Sequence, residues 1–126
     1  AFPERQVYAV MGDGAMCLNQ REIETSIRTN LPVIFIVLCD NTSEPAKPDP
    51  FSSLYIQKET SKAESLDEYK WNTRFDLIAQ AMGAMGERVS DTAGLKTAIK
   101  RAIDSGKCSV IHVDVDPVKH GSLSSL

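Results

Sequence analysis

Two apolar runs, each ending at an acid, constrain this chain more than any other feature. Val7-Tyr8-Ala9-Val10-Met11 stops abruptly at Gly12-Asp13-Gly14-Ala15, and Val33-Ile34-Phe35-Ile36-Val37-Leu38 stops at Cys39-Asp40-Asn41-Thr42. The second run is β-branched or aromatic at most positions and apolar on both faces, which reads as a central parallel strand. The first reads as a buried parallel strand delivering a carboxylate to the rim of a sheet. Between them, Ile23 and Ile27 lie four apart and give a helix its buried stripe, while Arg21, Glu24 and Arg28 face water. Asn19 is placed to cap that helix, with Glu22 three residues on in the capping-box position. Pro32 disfavours helical geometry at the residue before it. The unit is βαβ, and two neighbouring parallel strands would bring Asp13 and Asp40 to one lip, where open α/β sheets bind ligands. Paired carboxylates repel unless a cation lies between them. Hard oxygen donors suit magnesium, and glycines beside the acid let backbone approach a bulky anion.

The later sequence extends the same architecture. Thr73 is a plausible N-cap for a helix with Phe75, Ile78, Ala79 and Met82 on one face, ending at Gly83 or Gly86. Glu87 to Ser90 reads as a short strand, and Asp91 or Thr92 caps a helix whose stripe is Leu95, Ala98, Ile99, Ala102 and Ile103. Ser109 to Val115 is the last strand; its alternation, with His112 and Asp114 opposite Ile111 and Val113, suggests a less covered face near a sheet edge. With right-handed crossovers this order gives an α/β three-layer sandwich on a mostly parallel sheet. Residues 43–72, with Pro45, Pro48 and Pro50, read as a long loop packing over the crevice.

At 126 residues the chain suits one domain, and an abrupt start without an initiator methionine suggests a fragment of something longer. A net charge of −3 offers no general attraction for nucleic acid or an anionic membrane. The longest apolar run is too short to cross a bilayer. Three cysteines without CxxC spacing favour a reducing, cytoplasmic location over a disulfide framework or zinc site. Cys39 and Cys108 read as small buried hydrophobes, and His112 as a solvated or hydrogen-bonded residue rather than a base. A dinucleotide site fails because Cys17 stands at the third glycine position of G-x-G-x-x-G.

Gly12-Asp13-Gly14-Ala15, the segment Arg21 to Val33 and the strand to Leu38 together resemble thiamine-diphosphate-dependent enzymes, most closely the acetolactate synthase and 2-oxoacid decarboxylase/carboligase group. Phe75 to Gly83, Val89, and Val110 to Asp116 resemble the family more loosely. The resemblance implies a thiamine-diphosphate-binding-like fold forming part of a pyrophosphate-binding domain. It implies that Asp13 ligates Mg2+, that Gly12, Gly14 and Ala15 meet the diphosphate, and that Asp40, 27 positions after Asp13, supplies the second ligand. The carbonyl of Thr42 would be a third. The family's Asn-Asn pair is here Cys39-Asp40, or Asp40-Asn41 if the strand runs one residue further, and Asp40 adds a charge beside a diphosphate. The family's catalytic glutamate lies in another domain, so no catalytic residue is assigned here, and the chain alone is expected to be inactive. The implied function is to hold thiamine diphosphate and Mg2+ in a lyase or transferase that forms a cofactor-bound carbanion from a 2-oxoacid. A pyrimidine-binding partner domain or subunit and a homo-oligomer are implied as well. Two other readings stand beside it: a non-catalytic or regulatory paralogue without cofactor, and a phosphoacceptor receiver using Asp13, Asp40 and Lys119. The receiver reading lacks the adjacent acid pair on the first strand.

Overall fold

The computed structural model describes residues 5–40 and 73–115. The expected loop over residues 43–72, Asn41, Thr42 and the tail beyond Val115 lie outside the described residues. Among the described residues four parallel strands form one sheet: β1 (Tyr8–Gly12), β2 (Ile34–Cys39), β3 (Met85–Val89) and β4 (Ser109–Asp114), in the order β1-β2-β4-β3. Helices α1 (Asp13–Asn19), α2 (Arg21–Arg28) and α3 (Phe75–Met82) pack on one face, and α4 (Thr92–Ser105) on the other. The three-layer parallel architecture expected from the sequence is the one observed.

Strand alternation divides the core in two. Phe35, Val37, Cys39 and Val110 meet Met16, Ile23, Phe75 and Ala79 beneath α1–α3. Ile34, Ile36, Ile111 and Val113 meet Ala98 and Ala102 of α4. Small residues on α4 let its backbone approach the sheet closely. Its start is fixed by Asp91, whose carboxylate accepts a 2.7 Å bond from the Gly94 N–H, and Gly106 ends it in the left-handed conformation (φ 60°). Gly83 does the same for α3 (φ 94°). Of the expected stripes, Met82 and Ile103 are instead substantially exposed.

Several local expectations are corrected. Asn19 does not cap the second helix: a helix begins directly at Asp13, and Asn19 is its last residue, its side chain donating to the Ala15 carbonyl. Gln20 separates α1 from α2 and no side chain caps α2. Arg74, not Thr73, precedes α3, and β3 begins at Met85, two residues before the expected start. The edge and interior strands are exchanged. The apolar β1 is an edge strand with Tyr8 and Val10 exposed, whereas β4 lies between β2 and β3 and is buried through Val113. A continuous apolar run marks what a strand can bury, not how many neighbours it has; in β4 the polar positions are covered because they bond to one another.

Candidate cofactor site

The parallel register brings both sequence-predicted acids to the carboxyl lip of the sheet. Gly12 pairs with Leu38, so Asp13 leaves β1 one residue past that pair and Asp40 leaves β2 two residues past it. Asp13 opens α1 and its Oδ1 accepts the Gly14 N–H at 2.7 Å, which fixes the carboxylate against the first helical turn. Asp13 and Asp40 are both half-buried, while Gly12, Gly14 and Ala15 are exposed on the rim. The lip that collects these groups also collects the amino end of α1, where the helix dipole favours negative charge.

The described fold does not require glycine at positions 12 and 14. Gly12 has φ −78° and ψ 166°, ordinary extended backbone that any residue adopts. A Cβ built on Gly12 or on Gly14 meets nothing within 4 Å. Gly86 is the contrast: a Cβ there would lie 1.9 Å from the Asp76 carbonyl oxygen, so packing of β3 under α3 demands glycine. Nothing in the described packing demands it at positions 12 and 14. Glycine in a helical turn costs up to about 1 kcal/mol relative to alanine, so Gly14 weakens α1 while leaving an open cradle beside Asp13.

The donor set is hard oxygen. Among the described residues no group of three or more His, Cys, Asp or Glu side chains converges to hold an ion. Two carboxylates do not close a coordination shell by themselves, and a metal there would take oxygens from the backbone, water and its ligand, as magnesium bound to a phosphate does. The cradle and the donors both fit a magnesium diphosphate. Thr42, the expected third ligand, lies outside the described residues.

Sequence reasoning missed the polar chain behind this lip. Arg88 of β3 holds the Asp114 carboxylate through Nε and Nη2 at 2.7 and 2.9 Å. Asp114 Oδ1 lies 3.2 Å from His112 Nε2, and His112 Nδ1 lies 3.5 Å from Cys39 Sγ. His112 and Cys39 are each 1% exposed, and the ring of Phe75 tilts against the imidazole at 6.1 Å. Burial, reinforced by the charge of Asp13, pushes the Cys39 thiol up to about 12. The Cys-His-Asp sequence of contacts is therefore no nucleophilic triad, because such a triad needs a thiolate and access. Arg88 holds the Asp114 carboxyl below the usual carboxylate range. Arg74 does the same for the buried Asp76 through a bidentate pair beside the amino end of α3. The signal in the sequence was the alternation of His112 and Asp114 along β4, a pattern shared by solvated and internally bonded faces.

Residues 1–113 match the family model described as thiamine pyrophosphate enzyme, C-terminal TPP binding domain. A probable acetolactate synthase from Mycobacterium bovis is 33% identical over 117 residues, an alignment covering 93% of this chain and 20% of that protein. The 2-hydroxyacyl-CoA lyase 1 of Dictyostelium discoideum is 30% identical over 106 residues, covering 79% of this chain and 18% of that one. Among solved structures, a thiamine diphosphate-dependent 4-hydroxybenzoylformate decarboxylase from Rhodococcus jostii superposes with a TM-score of 0.69 at 25% identity, over 90% of this chain and 20% of its own. The chain thus spans about one fifth of the length of these relatives. With a four-stranded parallel sheet, a Gly-Asp-Gly lip and this match along most of its length, the chain belongs to the C-terminal, cofactor-binding domain family of thiamine pyrophosphate enzymes.

Proposed function

We propose that this chain holds the diphosphate of thiamine diphosphate through Mg2+, as one domain of an enzyme that acts on a 2-oxoacid. The observation that carries the reading is the pair of glycines at positions 12 and 14, whose conformation and surroundings leave room that the described packing does not use. Asp13 would be one metal ligand and Asp40 a second, with the Thr42 carbonyl as a third. The N–H groups of Gly14 and Ala15 would lie toward the diphosphate, with the α1 dipole favouring its charge. When bound, the thiazolium of the cofactor supplies an electron sink for breaking or making the bond beside the oxo carbon. This chain's own residues bind and orient: they fix the phosphate end, so that the reactive ring projects toward a pyrimidine-binding partner domain or subunit. The relatives, an acetolactate synthase, a 2-hydroxyacyl-CoA lyase and a decarboxylase, support a lyase or carboligase. A homo-oligomer and a cytoplasmic location belong to the same reading; the three free cysteines accord with a reducing compartment.

Calorimetric titration of the full-length polypeptide with thiamine diphosphate, with and without Mg2+, tests it. Saturable binding that requires the metal and is abolished by Asp13→Ala is expected. Absence of binding at millimolar Mg2+ would leave the paralogue without cofactor as the better reading.

A further inference from the structure

Asp40 lies just beyond the sheet. The β2–β4 ladder ends at Cys39 opposite Asp114, and the last backbone bond at this lip runs from the Val115 N–H to the Cys39 carbonyl at 2.9 Å. The last β2 side chain on the α1–α3 side is that of Cys39, and its polar side-chain neighbour on β4 is His112. In the tautomer with its proton on Nε2, the imidazole donates to Asp114 and its Nδ1 can accept the Cys39 S–H, for which the Val37 carbonyl, also at 3.5 Å, competes. Asp114 is in turn held by Arg88. A buried imidazole is unfavourable unless hydrogen-bonded, and an apolar side chain would fill the same place under Phe75 without that demand. The backbone ladder already sets the β2–β4 register; what the imidazole adds is a directed side-chain contact from β4 to the last residue of β2.

We propose that His112 is a positioning residue for the cofactor site, bridging Cys39 to the Asp114–Arg88 pair and so setting where Asp40 leaves the sheet. None of these four residues need touch metal or diphosphate. Partners that hydrogen-bond a metal ligand directly change metal affinity by about 10- to 100-fold when removed; His112 and Cys39 would act on Asp40 only through the β2 backbone, which points to the lower end of that range. The inference rests on the proposed role of Asp40 as a ligand.

The experiment uses the full-length polypeptide with Mg2+ and thiamine diphosphate, comparing wild type, His112→Phe, Cys39→Ala and the double variant. Affinity is measured by calorimetry on protein shown folded by circular dichroism. Electron paramagnetic resonance of Mn2+ in place of Mg2+ reads the ligand geometry, which a merely structural residue would leave unchanged. Each single variant is expected to bind roughly tenfold more weakly, with an altered Mn2+ spectrum. The double variant is expected to be no worse than the weaker single one, because both break the same bridge. His112→Asn, which keeps a polar atom near the Nδ1 position, should recover part of the loss. Unchanged affinity and spectrum in folded Cys39→Ala overturn the inference, whether or not His112→Phe folds, and leave the cofactor assignment standing. Failure of the wild type to bind overturns both.

Discussion

Replacing Gly14 by alanine should move stability and cofactor affinity in opposite directions. Gly14 lies in the first turn of α1, where a Cβ meets no atom within 4 Å and the backbone is not in the left-handed region. Alanine therefore adds helix propensity without strain, a gain of up to about 1 kcal/mol. For a chain of 126 residues that raises the melting temperature by up to roughly 4 °C. The same methyl occupies the cradle beside Asp13, where an anion would approach the backbone N–H groups. Lengthening one charge-assisted hydrogen bond past its useful range forfeits about 1.5–3 kcal/mol, which is roughly 10- to 150-fold in affinity. Differential scanning fluorimetry of the ligand-free protein reads the first effect and titration with Mg2+ and thiamine diphosphate the second. A variant that is more stable and binds as tightly as wild type would refute the argument that these glycines leave room for a ligand. So would one that loses stability, since nothing in the described packing would then account for it.

Other substitutions separate packing from site. Gly86→Ala should cost about 2 kcal/mol or more in urea unfolding, because a Cβ 1.9 Å from the Asp76 carbonyl oxygen forces α3 and β3 apart; a neutral result would mean that the edge strand yields freely. Stability should fall in acid: Asp76 and Asp114 have carboxyls lowered by Arg74 and Arg88, so the unfolded chain takes up protons first. Their contribution is complete above the ordinary value of 3.8 and fades as pH drops through the lower folded values. Urea midpoints measured against pH should show this slope, and Asp76→Asn should flatten it. In the native protein at pH 8, a thiol reagent should modify the half-buried Cys17 well before the buried Cys39 or Cys108, although burial raises all three thiols, Cys39 to about 12; rapid labelling of Cys39 would contradict its burial.

Much of the architecture is legible in the residues themselves. The two acid-terminated runs fix β1 and β2 as parallel neighbours, since the 21-residue stretch between them is room for helices and not for a hairpin. Asp91, Gly94 and Gly106 bound α4 through local chemistry that any context would keep. Order across the sheet is another matter. Tyr8 and Val10 look as apolar as Ile34 and Ile36, yet only the latter pair has strands on both sides and a helix above. Asn19 satisfies a capping pattern but ends a helix, because Asp13 already starts one two residues after the last apolar position of β1. His112 and Asp114 are polar on a covered face because Arg88 and Cys39, 24 and 73 residues away in sequence from His112, come to meet them. Periodicity carries no information on partners so distant. That Asp13 and Asp40 share one lip is legible because glycines and strand ends mark both positions; the polar chain behind them is not, because hydrogen-bonded burial leaves the same alternation as exposure.

The central claim is that one divalent ion touches both Asp13 and Asp40. A double-mutant cycle on Mn2+ affinity, measured in the presence of thiamine diphosphate on the full-length polypeptide, tests it most directly. If the ion bridges them, Asp13→Ala and Asp40→Ala each weaken binding strongly, their effects are far from additive, and Asp40→Asn keeps the metal while relieving charge beside the diphosphate. Metal affinity unchanged in Asp40→Ala would contradict the claim.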